Sequence, residues 1–271
     1  MDSPAEFQDS QRVEEAGERP GTRSLARQIK VLRTVAARPE FGWRLSDLAV
    51  ACALDRATVH RMLAALIAER LVEQRAGDKH YLPGPLLFEL GLARPERMDF
   101  QRSAEAALTA FARRTRGVGV LLLRSGNEYV CSVRAGEVLS GSVLFPGTRR
   151  PLFTAAGGVA ILQTLPDPQM RSILADNVAQ EIARCGTARL AALRRMRERC
   201  DEHGFGVNLG DVVPGVHAFA VPLRGSDGQA FASVCLLGTP ERFGEDRLGT
   251  IRDELDTLAN TLGADAAQLR H

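Results

Sequence analysis

The 271-residue sequence has no run of 18 apolar residues, which excludes a conventional membrane-spanning helix, and its first residues lack the apolar core of a secretory signal. Cysteine is sparse: Cys52, Cys131, Cys185, Cys200 and Cys235 are odd in number and show no metal-type spacing. The expectation is reduced thiols in a cytoplasmic protein, with no metal and no cofactor. HExxH and GxSxG are absent, so neither signature supports a hydrolase. Lysine is nearly missing. Only Lys30 and Lys79 occur, so 33 of the 35 basic residues are arginine, a bias that a GC-rich genome explains. The net charge of +2 excludes a polycation, but the charge is uneven. Residues 1–24 are acidic on balance, whereas 25–84 hold ten Lys/Arg against six Asp/Glu. A locally basic segment in a near-neutral chain points to a dedicated nucleic-acid module.

That segment contains LSDLAVACALDRATVHRMLAAL (45–66). Leu45, Leu48, Ala49 and Cys52 repeat at helical spacing, with Ser46 placed to cap the helix. After a turn at Ala53, a second helix, Asp55 to Arg70, aligns Val59, Met62, Leu63 and Leu66 on one face. The opposite face carries Ala57, Arg61, Ala64 and Ala68, flanked by Thr58 and His60, and Arg56 joins them as a candidate DNA contact. A helix that buries one side and presents small, hydroxyl and guanidinium groups on the other fits a major groove. Paired amphipathic helices also occur in proteins that never touch DNA. Here, however, Leu71–Gln74 and Lys79–Leu82 read as a hairpin turning at Gly77-Asp78, a wing whose Arg75, Lys79 and His80 would reach phosphate or minor groove.

Residues 1–23 read as a disordered tail, 24–84 as a winged helix-turn-helix, and 85–98 as a linker helix. A helix is expected from Asp99 to Thr115. Hairpins then alternate with helices: strands at 118–124, 128–134, 141–145, 205–209, 216–223 and 230–237, and helices at 153–163, from Pro166-Asp167-Pro168 onward, at 187–203 and at the C-terminus. The fold class is α+β with an antiparallel sheet. Strand parity puts Val216, Ala218 and Ala220 on one face with Ser233, Cys235 and Leu237, and turns His217, Phe219 and Val221 the other way.

The chain resembles an IclR-type transcriptional regulator over residues 24 to about 262. The resemblance rests on SLARQIKVLRTVA, the two-helix stretch, HYLPGPLLFELG, PGTRRPLFTAAGGVAIL and GVHAFAVPLRGSDGQAFASVCLLGT, in that order. It implies a winged helix-turn-helix, a linker helix and a GAF-like effector domain at 99–265. The protein would form homodimers or dimers of dimers on a double-stranded operator and control a catabolic operon. The effector positions implied are Ala155, Ala156, Asn208, Asp211, Val216, Ala218, Cys235 and Leu237, with an apolar wall from Leu139, Val143 and Phe145. Members that bind small organic acids tend to carry Cys and Ser at Ala218, Cys235 and Leu237, so the lining here is more apolar. Thr154 is placed to cap the helix at Ala155–Gly158, whose amides would hold the carboxylate of an effector with an apolar or aromatic body. Two other readings stay open: a C-terminal domain that only oligomerises, and an enzyme pairing Cys235 with His217. Strand parity places those two side chains on opposite faces, against the enzyme.

Overall fold

Asp55 shows how the N-terminal unit is set. Its carboxylate accepts the Thr58 N–H at 2.8 Å and caps the helix that follows. In the computed structural model, which describes residues 20–137, 144–225 and 228–266, that helix is α3 (Arg56–Ala68). It follows α1 (Pro20–Ala36) and α2 (Leu45–Cys52), so α1 begins at Pro20, ahead of Ser24. Val59, Met62, Leu63 and Leu66 of α3 are buried with Val31, Val35, Leu48 and Cys52 in one core. Ala53, between α2 and α3, is left-handed at φ 51°, which costs about 1 kcal/mol relative to glycine. Ser46 does not cap α2. The N-cap is Arg44, without a side-chain bond, and the Ser46 hydroxyl donates to Asp47 inside the helix.

Strands β1 (Val72–Gln74) and β2 (Tyr81–Pro83) form the hairpin, with Glu73 opposite Leu82. The left-handed residue at its tip is Lys79, at φ 59°, and not the glycine. A short helix α4 (Leu86–Gly91) follows, and the chain divides into two compact units between Ala93 and Arg94.

The second unit opens on α5 (Pro95–Thr115), which starts four residues before the expected Asp99 because Pro95 occupies its first turn. Next come β3 (Val118–Ser125), β4 (Glu128–Ala135), β5 (Arg149–Pro151), α6 (Ala156–Leu162), α7 (Asp167–Cys185), α8 (Leu190–His203), β6 (Gly206–Leu209), β7 (His217–Arg224), β8 (Ala230–Gly238) and α9 (Leu248–Ala266). The sheet is antiparallel throughout, in the order β5-β4-β3-β8-β7-β6. Strand β5 was not expected. Of the strand expected at 141–145, residues 141–143 lie outside the described residues, and Leu144 and Phe145 belong to no strand.

Alternation along β7 and β8 splits the unit into two cores. Phe219, Val221, Ala232, Val234 and Leu236 meet Leu108 and Phe111 of α5 and Ile251, Leu255 and Leu258 of α9. Val216, Ala220, Cys235 and Leu237 face the other way, toward Ala160 and Ile161 of α6. Helix α6 is buried over its whole length, and its far side (Ala156, Val159) packs on Leu193, Met196 and Cys200 of α8. Such a helix needs small residues. A Cβ on Gly157 would come within 2.6 Å of Cys235 Sγ, and one on Gly158 within 2.0 Å of the Leu152 carbonyl oxygen.

Candidate functional sites: a DNA-reading face and an effector cavity

On α3, burial of the apolar stripe turns the opposite face outward. Arg56, Ala57, His60 and Arg61 are exposed and Thr58 is half-buried. Arg61 Nη2 donates to Thr58 Oγ1 at 3.3 Å, one turn back. A shallow groove between α1 and α3 is lined by Arg23, Arg27, Gln28, Thr58 and Arg61. Arg23 and Arg27 escaped the sequence reading, which followed only the apolar residues of α1.

The wing carries its expected residues in unequal roles. Arg75 is tied down: Nε and Nη2 donate to the Asp78 carboxylate at 3.0 and 2.8 Å, and Nη2 donates to the Phe41 carbonyl at 3.0 Å. The hydrogen bonds from Arg75, then the His80 backbone N–H, hold the Asp78 carboxyl well below its usual range. Arg75 therefore braces the tip. Lys79 is exposed and its ammonium has no partner among the described residues.

In the second unit a cavity of about 300 Å³ opens on the α6 side of the sheet. Ala218 and Leu237, paired across β7 and β8, form its floor with Val216. Val212 and Val213 close one side. Their loop is held by Asn208, whose side-chain oxygen accepts the Asp211 and Val212 N–H groups at 3.0 and 3.4 Å. Leu144 and Thr148 form the opposite wall, and Ala155 and Ala156 also line the space. The polar end is Tyr129, Thr154, Arg150, Arg184 and Arg189. Burial pushes the Tyr129 phenol up to about 12, so it stands there as a neutral hydroxyl.

Six of the expected effector residues thus meet at one cavity: Ala155, Ala156, Asn208, Val216, Ala218 and Leu237. Three others do not. Phe145 lies outside the lining, its ring 5.6 Å from the Arg134 guanidinium, and Leu144 takes its place. Cys235 shares the face of Leu237 but sits beneath Gly157, sealed from the cavity by α6. Asp211 turns toward α8, 3.2 Å from Arg195 and 3.7 Å from Arg199. Leu139 and Val143 lie outside the described residues. Thr154 does not cap α6. Its hydroxyl donates to the Pro151 carbonyl at 2.7 Å, and the N-cap is Ala155. His217 and Cys235 lie on opposite faces, with His217 Nδ1 2.8 Å from the Phe243 carbonyl oxygen.

Comparison with known proteins agrees with this architecture. Residues 24–76 match the IclR helix-turn-helix domain, and residues 94–264 match the C-terminal domain of bacterial IclR transcriptional regulators. The HTH-type transcriptional regulator BhcR of Paracoccus denitrificans is 24% identical over 243 residues, covering 89% of this chain and 86% of that protein. The HTH-type transcriptional repressor AllR of Escherichia coli is 23% identical over 254 residues, covering 91% and 92%. Among solved structures, a putative IclR regulator from Silicibacter sp. TM1040 superposes with a TM-score of 0.70 at 21% identity, covering 92% of this chain and 98% of that one. An IclR homologue from Microbacterium hydrocarbonoxydans, complexed with 4-hydroxybenzoate, gives 0.63 at 20% identity, covering 89% and 98%. Two domains matched in order across most of the chain decide the assignment, and they exclude the enzyme reading: the protein belongs to the IclR family of helix-turn-helix transcriptional regulators.

Proposed function

We propose that this regulator reads its operator with α3 in the major groove, and that a small organic molecule in the sheet-side cavity changes its hold on that operator. The exposed face of α3 carries the DNA reading. Arg61 stands at its centre, with Arg56, Ala57, Thr58 and His60 around it and Arg23 and Arg27 beside it. Arg61 is suited to a base edge, whereas Lys79 at the wing tip is suited to phosphate. The functional division is 24–84 for DNA, 85–98 as linker and 99–265 for the effector. The protein would act in the cytoplasm, as a homodimer or dimer of dimers whose paired α3 helices span half-sites.

The cavity favours sensing over a domain that only oligomerises, because its apolar floor and polar end match a ligand with an apolar or aromatic body and one polar group. The controlled genes would encode catabolism of such a compound. Mapping genomic binding sites with the full chain tests the reading, followed by gel shifts on recovered sites with and without candidate compounds. Discrete sites sharing a sequence motif, released or strengthened by a compound, are expected. Binding without sequence preference would overturn it.

A further inference from the structure

The polar end of the cavity is assembled from three arginines on separate segments: Arg150 from β5, Arg184 from the last turn of α7, and Arg189 from the turn that opens α8. Two of them are anchored by one carboxylate. The Glu181 side chain has no exposed surface. Its oxygens accept from Arg184 Nε and Nη2 at 3.0 and 2.8 Å and from Arg189 Nη1 at 2.9 Å. The Cys185 thiol adds a contact at 3.2 Å. Burial pushes the Glu181 carboxyl up, but the Arg184 and Cys185 hydrogen bonds and the two guanidinium charges outweigh it, so Glu181 is ionised.

Glu181 fixes the plane of the Arg184 guanidinium, holds Arg189 by one nitrogen, and cancels only one of their charges. Two guanidinium charges against one carboxylate leave a surplus of positive charge at this end of the cavity, and Arg150 lines the same end. Arg184 and Arg189 remain 43% and 38% exposed, and among the described residues Arg184 Nη1 and Arg189 Nε and Nη2 donate to no other group. A guanidinium held by a carboxylate, with donors to spare, is pre-organised to receive a second oxyanion. The floor, Val216, Ala218 and Leu237, carries no charge, and Asn208 beside Ala218 is its one polar neighbour in the lining, so a second distal anion would be desolvated without an opposite charge. Helix α6 has only seven residues, is buried throughout and lacks the expected Thr154 cap. Its amino end is the poorer place for the acid group.

We propose that Arg150, Arg184 and Arg189 form the anion-binding subsite of the effector, and that the effector is an organic acid with its charge at one end and an apolar body at the other. This rests on the cavity being the sensing site.

The test is titration of the full-length protein with benzoate, phenylacetate and isovalerate, each beside its primary amide, with terephthalate as a doubly charged control. Melting temperature and calorimetric affinity are the readouts. At least one monoacid should bind, its amide and terephthalate should not, and Arg150→Gln and Arg189→Gln should each weaken the acid about tenfold or more. Arg189→Lys should retain more affinity than Arg189→Gln. Unchanged melting of the ligand-free variants shows that they fold. An amide that binds as well as its acid, or acid affinity unchanged in both Gln variants, would overturn the arginine subsite while leaving sensing intact. Absence of binding by every acid and amide would overturn both.

Discussion

Gly157 stands directly over Cys235: a Cβ on the glycine would lie 2.6 Å from the thiol sulfur and 2.8 Å from Ser233 Oγ. Helix α6 therefore rides on β8 with no room for a side chain between them, which places Ala155 and Ala156 at the cavity. Gly157→Ala should destabilise the second unit by about 1–3 kcal/mol. Gly158→Ala should cost more, because its Cβ would meet the Leu152 backbone rather than a side chain that can move. Chemical denaturation of the two variants would decide this, and equal stability to the parent would refute the close packing.

Arg61→Ala should weaken cognate DNA by about 1–3 kcal/mol and relax preference at one base position. Selection from a random-sequence library measures both. An unchanged motif would remove Arg61 from base reading.

Lys79 and Arg75 should part company. Lys79→Ala should weaken all sequences alike and reduce the salt slope by about one unit, the mark of one lost phosphate contact. Arg75→Ala releases Asp78 and the Phe41 carbonyl, so it should also loosen the wing. Amide exchange of residues 75–80 should then rise in Arg75→Ala and stay unchanged in Lys79→Ala.

Alkaline pH should destabilise the second unit. Burial pushes the Cys131 and Cys235 thiols up to about 12 from 9.0. In the unfolded chain these thiols ionise from about pH 9, while the folded chain keeps them protonated to about pH 12. Their stabilising contribution is therefore complete below pH 9 and is lost as pH rises through that window. The loss is about 1.4 kcal/mol per pH unit per thiol. Denaturation midpoints at pH 7.5, 9 and 10.5 should fall at the last, and Cys235→Ser should flatten the decline.

Helix α3 was legible because its signal is local: four apolar residues at helical spacing. The two faces of β7 and β8 were legible for the same reason, since side chains alternate whatever lies beyond them. Parity gives the face but not the position along the strand. Cys235 and Leu237 point the same way, yet α6 covers the first and ends short of the second. The Thr154 cap failed because its hydroxyl found a nearer acceptor, the Pro151 carbonyl three residues back. The arginine end of the cavity was invisible. Its three residues come from segments far apart in sequence, and among 33 arginines none stands out by type.

The scarcity of lysine has a practical side. Lys30 is held at the end of α2, its Nζ donating to the Cys52 carbonyl at 2.9 Å, while Lys79 stands open at the wing tip. No other side-chain amine exists in the sequence. Acylating reagents thus meet only two lysines, one hydrogen-bonded at its amine and one open at the wing tip, where duplex DNA is expected to cover it. Mass spectrometry of the Lys79 adduct turns the native chain into its own footprinting probe for operator engagement, with the Lys30 adduct as the internal reference.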